Sequence, residues 1–235
     1  MTVAPVVVDR ATWLRARQSL LAEEKRVTRR LDELAEQRRA MPWVRVDTPY
    51  VFDTADGEQS LAELFGGRSQ LVVYHFMMGP DWEEGCPSCS FWADNFDGTD
   101  VHLAHRDTTL LAVSRAPLDA IDAYKARMGW TFKWVSSART DFNLDFGGSF
   151  PEGRRTDGTF AYDATGEPVD EATGVSVFAR DAVGDVFHTY SAYARGVEIF
   201  NGSYQLLDLT PKGRDEDDLP WTMSWLRRHD AYGPQ

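Results

Sequence analysis

The chain of 235 residues carries two cysteines, and both belong to one step, Cys86-Pro87-Ser88-Cys89. Two thiols at this separation can exchange a disulfide with a partner. One thiolate attacks an oxidised sulfur, and the second thiol must reach the resulting mixed disulfide before side reactions do. The step follows the apolar run Leu71-Val72-Val73-Tyr74-His75-Phe76, so the local order reads strand, loop, nucleophile, helix. Cys86 at the start of that helix is the expected attacker, because unpaired N–H groups and the macrodipole of a helix N-terminus favour a thiolate. Pro87 suits the first helical position, where a missing N–H costs nothing. Cys89, one turn in, comes round onto the same face and is expected to be the more buried resolving thiol.

Other chemistry is open to the same residues. A Cys-x-x-Cys pair also serves as half of a zinc site or as a structural disulfide. His102 and His105 follow the cysteines in the manner of a two-Cys, two-His site, although His102-x-x-His105 has one intervening residue fewer than such sites normally use. The ligands would also sit inside a long α/β chain that needs no metal to fold. Charges near the sulfurs oppose one another: Asp81, Glu83 and Glu84 would raise the Cys86 pKa, while the helix terminus and Arg115 would lower it. Arg115 is the candidate for stabilising the thiolate or substrate, with a structural ion pair as the alternative. Trp82 is a candidate groove-lining or sulfur-shielding residue, or else a loop anchor. His75 and His188 read as hydrogen-bonded core histidines rather than acid-base groups.

The elements that must position the pair follow from local pattern. Arg10 to Arg39 has apolar positions near helical spacing and reads as one helix of roughly 45 Å, closed by Met41-Pro42. Short strands are expected at 44–46 and 50–52 around Asp47-Thr48-Pro49, followed by a turn at Asp56-Gly57. Ser60-Leu61-Ala62-Glu63 is a capping box for a short helix ending at Gly66-Gly67. Residues 70–76 and 109–114 read as strands buried on both faces, and 117–128 as a helix stopped by Gly129. This β-α-β-α order implies a right-handed parallel crossover, with Cys86 and Ser114-Arg115 at the carboxyl ends of neighbouring strands. Trp130, Phe132 and Trp134 are read as alternating between opposite strand faces.

Residues 176–180 and 186–190 read as a hairpin, which makes the sheet mixed. The stretch near 136–173 lacks periodicity and reads as a long insertion, either a binding loop or a packed segment with aromatic anchors. Asp215-Glu216-Asp217-Asp218 reads as a solvated acidic turn, and the tail from Leu219, with Trp221 and Trp225, as a short helix docked on the core. The domain division is therefore an N-terminal helical arm over 1–42 and a main domain over 43–235.

A formal net charge of −12 argues against nucleic acid or an anionic membrane as partner, since both require a positive surface. Basic residues outnumber acidic ones between Arg10 and Arg45, but the acids and leucines among them fit an exposed, salt-bridged helix face that could pair with a second copy as a homodimer. Residues 1–8 show no secretory pattern and no apolar segment reaches spanning length, so a cytoplasmic location is expected.

Taken together, the run 70–77, the Cys86-Pro87-Ser88-Cys89-Ser90 step, Ser114-Arg115-Ala116-Pro117, Gly129-Trp130 and His188-Thr189-Tyr190-Ser191 resemble the bacterial family of predicted dithiol-disulfide oxidoreductases. That family is a branch of the thioredoxin-like superfamily otherwise of unknown function, and the resemblance runs from about Trp13 to Arg214. It implies an α/β fold: a thioredoxin-like mixed sheet flanked by helices, here with a long N-terminal helical arm. It also implies Cys86 as attacking thiol and Cys89 as resolving thiol, with a protein or small-molecule disulfide as substrate, an external thiol reductant and no bound cofactor. Two departures stand out. Thioredoxins place a proline before the strand that faces the cysteines, where this chain has Gly174-Val175-Ser176. Peroxiredoxins have Thr or Ser three residues ahead of the reactive cysteine, where this chain has Glu83, so peroxide reduction is the alternative enzyme reading and a non-catalytic binding protein the third.

Overall fold

The computed structural model describes residues 6–150 and 170–233. The chain divides into two units, Met1–Pro42 and Trp43–Gln235. In the first, helix α1 spans Arg10–Arg39. Asp9 caps it by accepting from the Thr12 N–H at 2.8 Å. Ion pairs along its surface join Arg17 to Glu24, Arg26 to Glu23 and Arg30 to Glu33, each worth at most about 0.5 kcal/mol.

The second unit is built on one eight-stranded mixed sheet. Its elements in chain order are β1 (Val44–Arg45), β2 (Val51–Thr54), β3 (Gly57–Ser60), α2 (Leu61–Leu64), β4 (Gln70–His75), α3 (Pro87–Ala93), α4 (Asp100–Ala104), β5 (Thr108–Ser114), α5 (Leu118–Met128), β6 (Lys133–Ser136), α6 (Phe142–Asp145), β7 (Gly174–Arg180), β8 (Val186–Tyr193) and α7 (Gly202–Leu207). The strand order is β1-β8-β7-β4-β5-β6-β2-β3. β4, β5 and β6 run parallel, and β7 lies antiparallel on the other side of β4.

Local chemistry sets the ends of these elements. Ser60 and Glu63 form the reciprocal capping box of α2, and Gly129 closes α5 at φ +68°, a conformation costly for any residue with a Cβ. β4 is central and apolar because both of its faces are buried. Leu71 and Val73 enter one core with Phe52, Leu111, Val113, Phe142 and Phe178, while Tyr74 and Phe76 enter the other with Cys89, Trp92, Tyr124 and Trp134. Side chains alternate across a strand, so the cysteines share a face with Tyr74. His75, stacked on Phe142 at 5.7 Å, belongs to the opposite layer.

The two short strands expected near 44–52 are present and lie at opposite ends of the sheet, β1 joining β8 and β2 joining β3 and β6. Other expectations are corrected. Trp130, Phe132 and Trp134 all enter the core that holds Cys89, Trp134 from β6 and the other two from the segment just before it. Among the described residues the tail from Leu219 contains no α-helix. It runs in turns and one short 3-10 helix at His229–Ala231, with Trp221 exposed. Glu216 organises this tail, its Oε1 accepting from Tyr204 Oη at 2.8 Å, Trp225 Nε1 at 2.6 Å and the Met223 N–H at 3.2 Å. Glu216 is thus an acceptor for three donors, while Asp215, Asp217 and Asp218 are exposed. Of the insertion near 136–173, residues 151–169 lie outside the described residues. The part before them forms α6, which buries Phe142 among Tyr50, Phe52 and Phe146.

Candidate active site

The loop after β4 carries Cys86 back to the sheet edge and starts α3 there. Cys86 is the residue before the first helical turn, with Pro87 at the first position. Its N–H donates to Met77 O at 3.1 Å and its carbonyl accepts the Ser90 N–H at 3.0 Å and Ser90 Oγ at 2.9 Å. Gly85 has little room for a side chain. A methyl group on it would stand 2.6 Å from Phe76 Cε1 and 2.7 Å from Tyr124 Cε1.

Both thiols are free. Cys86 is half-buried and Cys89 is fully buried. A hydrogen bond from the Cys89 thiol, then the N–H groups of Cys89 and Ser88 and the Ser88 hydroxyl, outweigh partial burial and pull Cys86 down to about 6. Burial, followed by the hydrogen bond and charge of Cys86, pushes Cys89 well above the ordinary thiol range. The Met77 N–H approaches Cys89 Sγ at 3.5 Å. The pair is therefore split into one sulfur suited to ionise and one that holds its proton. Beneath them lies Tyr74, whose buried hydroxyl accepts from Thr173 Oγ1 at 3.1 Å and lies 3.5 Å from Cys89 O. Burial raises its pKa, so it stays protonated.

Arg115 follows β5, as its sequence position implies, and its Nε donates to Glu171 Oε1 at 2.9 Å. Glu171 is buried and also accepts from Ser149 Oγ at 2.6 Å. Burial raises its pKa, with Ser149 and Arg115 opposing. Trp82 is 38% exposed and covers Gly79: a methyl group on Gly79 would lie 3.0 Å from Trp82 Nε1 and 3.5 Å from Glu171 Oε1. Arg115, Gly79 and Trp82, on the loops that leave β4 and β5, thus form one cluster with Glu171 from the segment leading into β7. His75 is buried, with Nε2 at 2.9 Å from Ser176 Oγ. His188 Nε2 lies 2.7 Å from Ser191 Oγ. His102 and His105 are exposed on and just after α4. Among the described residues no group of His, Cys, Asp and Glu side chains is arranged to hold a metal ion.

Residues that sequence reasoning passed over are Tyr74, Ser90, Tyr124, and Arg127 and Arg228, the cations that meet Glu84. Glu84 pairs with Arg228 Nη1 at 2.8 Å and also with Arg127. The hydrogen bond from Arg127 and the charges of both arginines hold its carboxyl below the usual range. Only Ser90 carried a sequence signal, being adjacent to the Cys pair.

A central strand leading to a dithiol at a helix N-terminus, a parallel strand on one side and an antiparallel hairpin on the other, defines a thioredoxin-like α/β domain. The chain belongs to the family described as "Bacterial protein of unknown function (DUF899)", whose model matches residues 2–232. No curated protein matches the sequence. Among solved structures, Xanthomonas campestris peroxiredoxin Q is 12% identical, with 69% of this chain and 91% of that one covered at a TM-score of 0.46. Peroxidoxin BcpB from Mycobacterium tuberculosis is 12% identical, covering 69% and 93% at 0.45. Yeast mitochondrial 1-Cys peroxiredoxin is 17% identical, covering 70% and 78% at 0.39. Among the described residues no helix is long and apolar enough to cross a membrane.

Proposed function

We propose that this protein is a dithiol-disulfide oxidoreductase acting through Cys86 and Cys89. The observation that carries the reading is the split between the two thiols: Cys86 pulled down to about 6 and half-buried, Cys89 buried beside it with its pKa raised. The Cys86 thiolate attacks a substrate disulfide, forming a mixed disulfide and releasing one substrate thiolate. Cys89 then attacks Cys86 Sγ, its proton passing to one departing thiolate while the other leaves as a thiolate that solvent protonates. The products are two reduced substrate sulfurs and a Cys86–Cys89 disulfide, so the protein gives up two electrons. An external thiol reductant restores the pair.

Arg115 and Trp82 serve the substrate in this reading. Trp82 offers an exposed apolar face, and Arg115, anchored by the buried Glu171, presents a fixed charge beside it. The substrate is a protein or small-molecule disulfide, and the location is cytoplasmic. The same ionised sulfur backed by a second thiol also meets the needs of a peroxide reductase, although Glu83 replaces the expected hydroxyl.

The test is steady-state reduction of a dithionitrobenzoate or insulin disulfide by the reduced protein, with Cys86→Ser and Cys89→Ser compared. Activity is expected to vanish in Cys86→Ser, and Cys89→Ser should accumulate a mixed disulfide detectable by mass. Undiminished turnover in Cys86→Ser overturns the proposal. Faster oxidation by hydrogen peroxide than by disulfides, with a Cys86 sulfenic acid captured by Cys89, assigns the peroxide reaction instead.

A further inference from the structure

Three consecutive residues near the C-terminus grip the loop and helices around Cys86. Arg228 reaches Glu84, Gly85 and Tyr124. His229 Nδ1 stands 2.8 Å from Asp94 Oδ1, which also accepts from Trp130 Nε1 at 2.7 Å. Asp230 accepts from Arg127 Nε at 2.7 Å, and buried Leu226 anchors the segment.

The contacts of Arg228 bear on the two peptide groups that flank Cys86. In the peptide joining Gly85 to Cys86, the N–H donates to Met77 O at 3.1 Å. The carbonyl of that same peptide accepts Arg228 Nη2 at 2.7 Å. The peptide joining Cys86 to Pro87 has no N–H, and its carbonyl accepts Ser90 Oγ at 2.9 Å. Ser90 Oγ is shared with Tyr124 Oη at 2.8 Å, and Tyr124 Oη accepts Arg228 Nε at 3.0 Å. One guanidinium therefore fixes the peptide before the sulfur directly and the peptide after it through two hydroxyls. A planar fork with several donors can do this where a point-like ammonium cannot.

We propose that Arg228 is a positioning residue for Cys86, clamping both flanking peptides so that the sulfur stays at the mouth of α3 facing the Ser88 and Cys89 N–H groups. This rests on the reading that Cys86 is the attacking thiol. The titratable and charged groups joined to this part of the site are Cys89 on α3, Tyr74 on β4, Glu84 in the loop, Tyr124 and Arg127 on α5, and Arg228, while Asp81 and Glu83 are exposed in the same loop. Loss of Arg228 frees the Gly85 carbonyl and removes one of the two cations that neutralise Glu84. Both changes disfavour the thiolate.

The experiment is the pH profile of Cys86 alkylation by iodoacetamide in the full-length reduced protein, with Cys86 and Cys89 resolved by peptide mass. In Arg228→Gln the midpoint should rise by about one pH unit, which is about tenfold less thiolate on the acid side. Arg228→Lys should recover only part of that shift. A midpoint in folded Arg228→Gln equal to that of the parent overturns the proposal. Should Arg228→Gln not fold, Tyr124→Phe decides, since it removes only the hydroxyl between Arg228 and Ser90: a raised midpoint supports the clamp and an unchanged one overturns it. A parent protein whose own midpoint sits near the ordinary thiol value of about 8.5 instead defeats the reading of Cys86 as attacker, so the two failures are separable.

Discussion

In the proposed reaction Cys89 surrenders its proton at a definite moment, because burial holds that thiol well above the ordinary range while a Cys86 thiolate lies beside it. Once Cys86 is bonded to a substrate sulfur, its negative charge and its hydrogen bond with Cys89 both disappear. Two causes of the raised Cys89 pKa then go with them, and the departing substrate thiolate can take the proton. Cys89→Ser therefore should leave the first attack on a disulfide near its parent rate while abolishing release of the second thiol, which stopped-flow absorbance separates. His75 supplies an independent residue-level expectation. Burial lowers its pKa from 6.5 to about 4, so in this window the unfolded chain binds a proton that the folded chain refuses. The stability held above pH 6.5 is lost as the pH falls towards 4, by up to about 3 kcal/mol. Urea midpoints measured across that interval should fall more gently in His75→Asn than in the parent, and equal slopes would exclude this assignment.

At the scale of elements, the turn from β4 into α3 depends on the absence of a side chain at Gly85. Phe76 comes from the end of β4 and Tyr124 from α5, and both rings approach the position a methyl would occupy at under 3 Å. Gly85→Ala must push the loop off these rings. We expect a loss of about 1–3 kcal/mol in chemical denaturation, together with slower Cys86 alkylation because the clamped peptide moves. Unchanged alkylation in a destabilised Gly85→Ala protein would show that the sulfur tolerates displacement of its loop. The same turn pairs one of the acids near the cysteines: Glu84 is engaged by Arg127 of α5 and by Arg228, so its charge is met locally.

For the whole molecule, the sheet separates two layers with different duties. The layer holding the cysteines carries Tyr74, Tyr124 and the C-terminal clamp, and the layer behind it is an aromatic core centred on Phe142. Phe142→Ala should cost about 3–5 kcal/mol by chemical denaturation while leaving the pH midpoint of Cys86 alkylation in place, since the residue packs on the far side of β4. Every side chain assigned here to the thiol site belongs to Trp43–Gln235. That unit expressed alone should keep the parent alkylation midpoint. A homodimer through α1, expected from the charged and leucine-bearing pattern of that helix, is proposed in the same experiment: the full chain should sediment as a dimer and 43–235 as a monomer, and a monomeric full chain overturns it.

Local chemistry made much of the framework legible. An unbroken apolar run marked β4, Pro87 marked the start of α3, Ser60 and Glu63 marked the cap of α2, and Gly129 marked the end of α5. Each is a signal carried by neighbours in sequence, where backbone preference and hydrogen-bond geometry act within a few residues. From those signals alone came the placement of Cys86 at a helix start behind a parallel strand. What the tertiary structure decided is which distant groups meet that sulfur. Arg228 reaches the Gly85 carbonyl across 143 residues, Tyr124 arrives from α5, and the parity of β4 puts Tyr74 under the cysteines and His75 behind them. The contest between acids and helix terminus at Cys86 was likewise unreadable from the chain, because electrostatics depends on separation in space and on burial, and neither is set until the sheet is assembled.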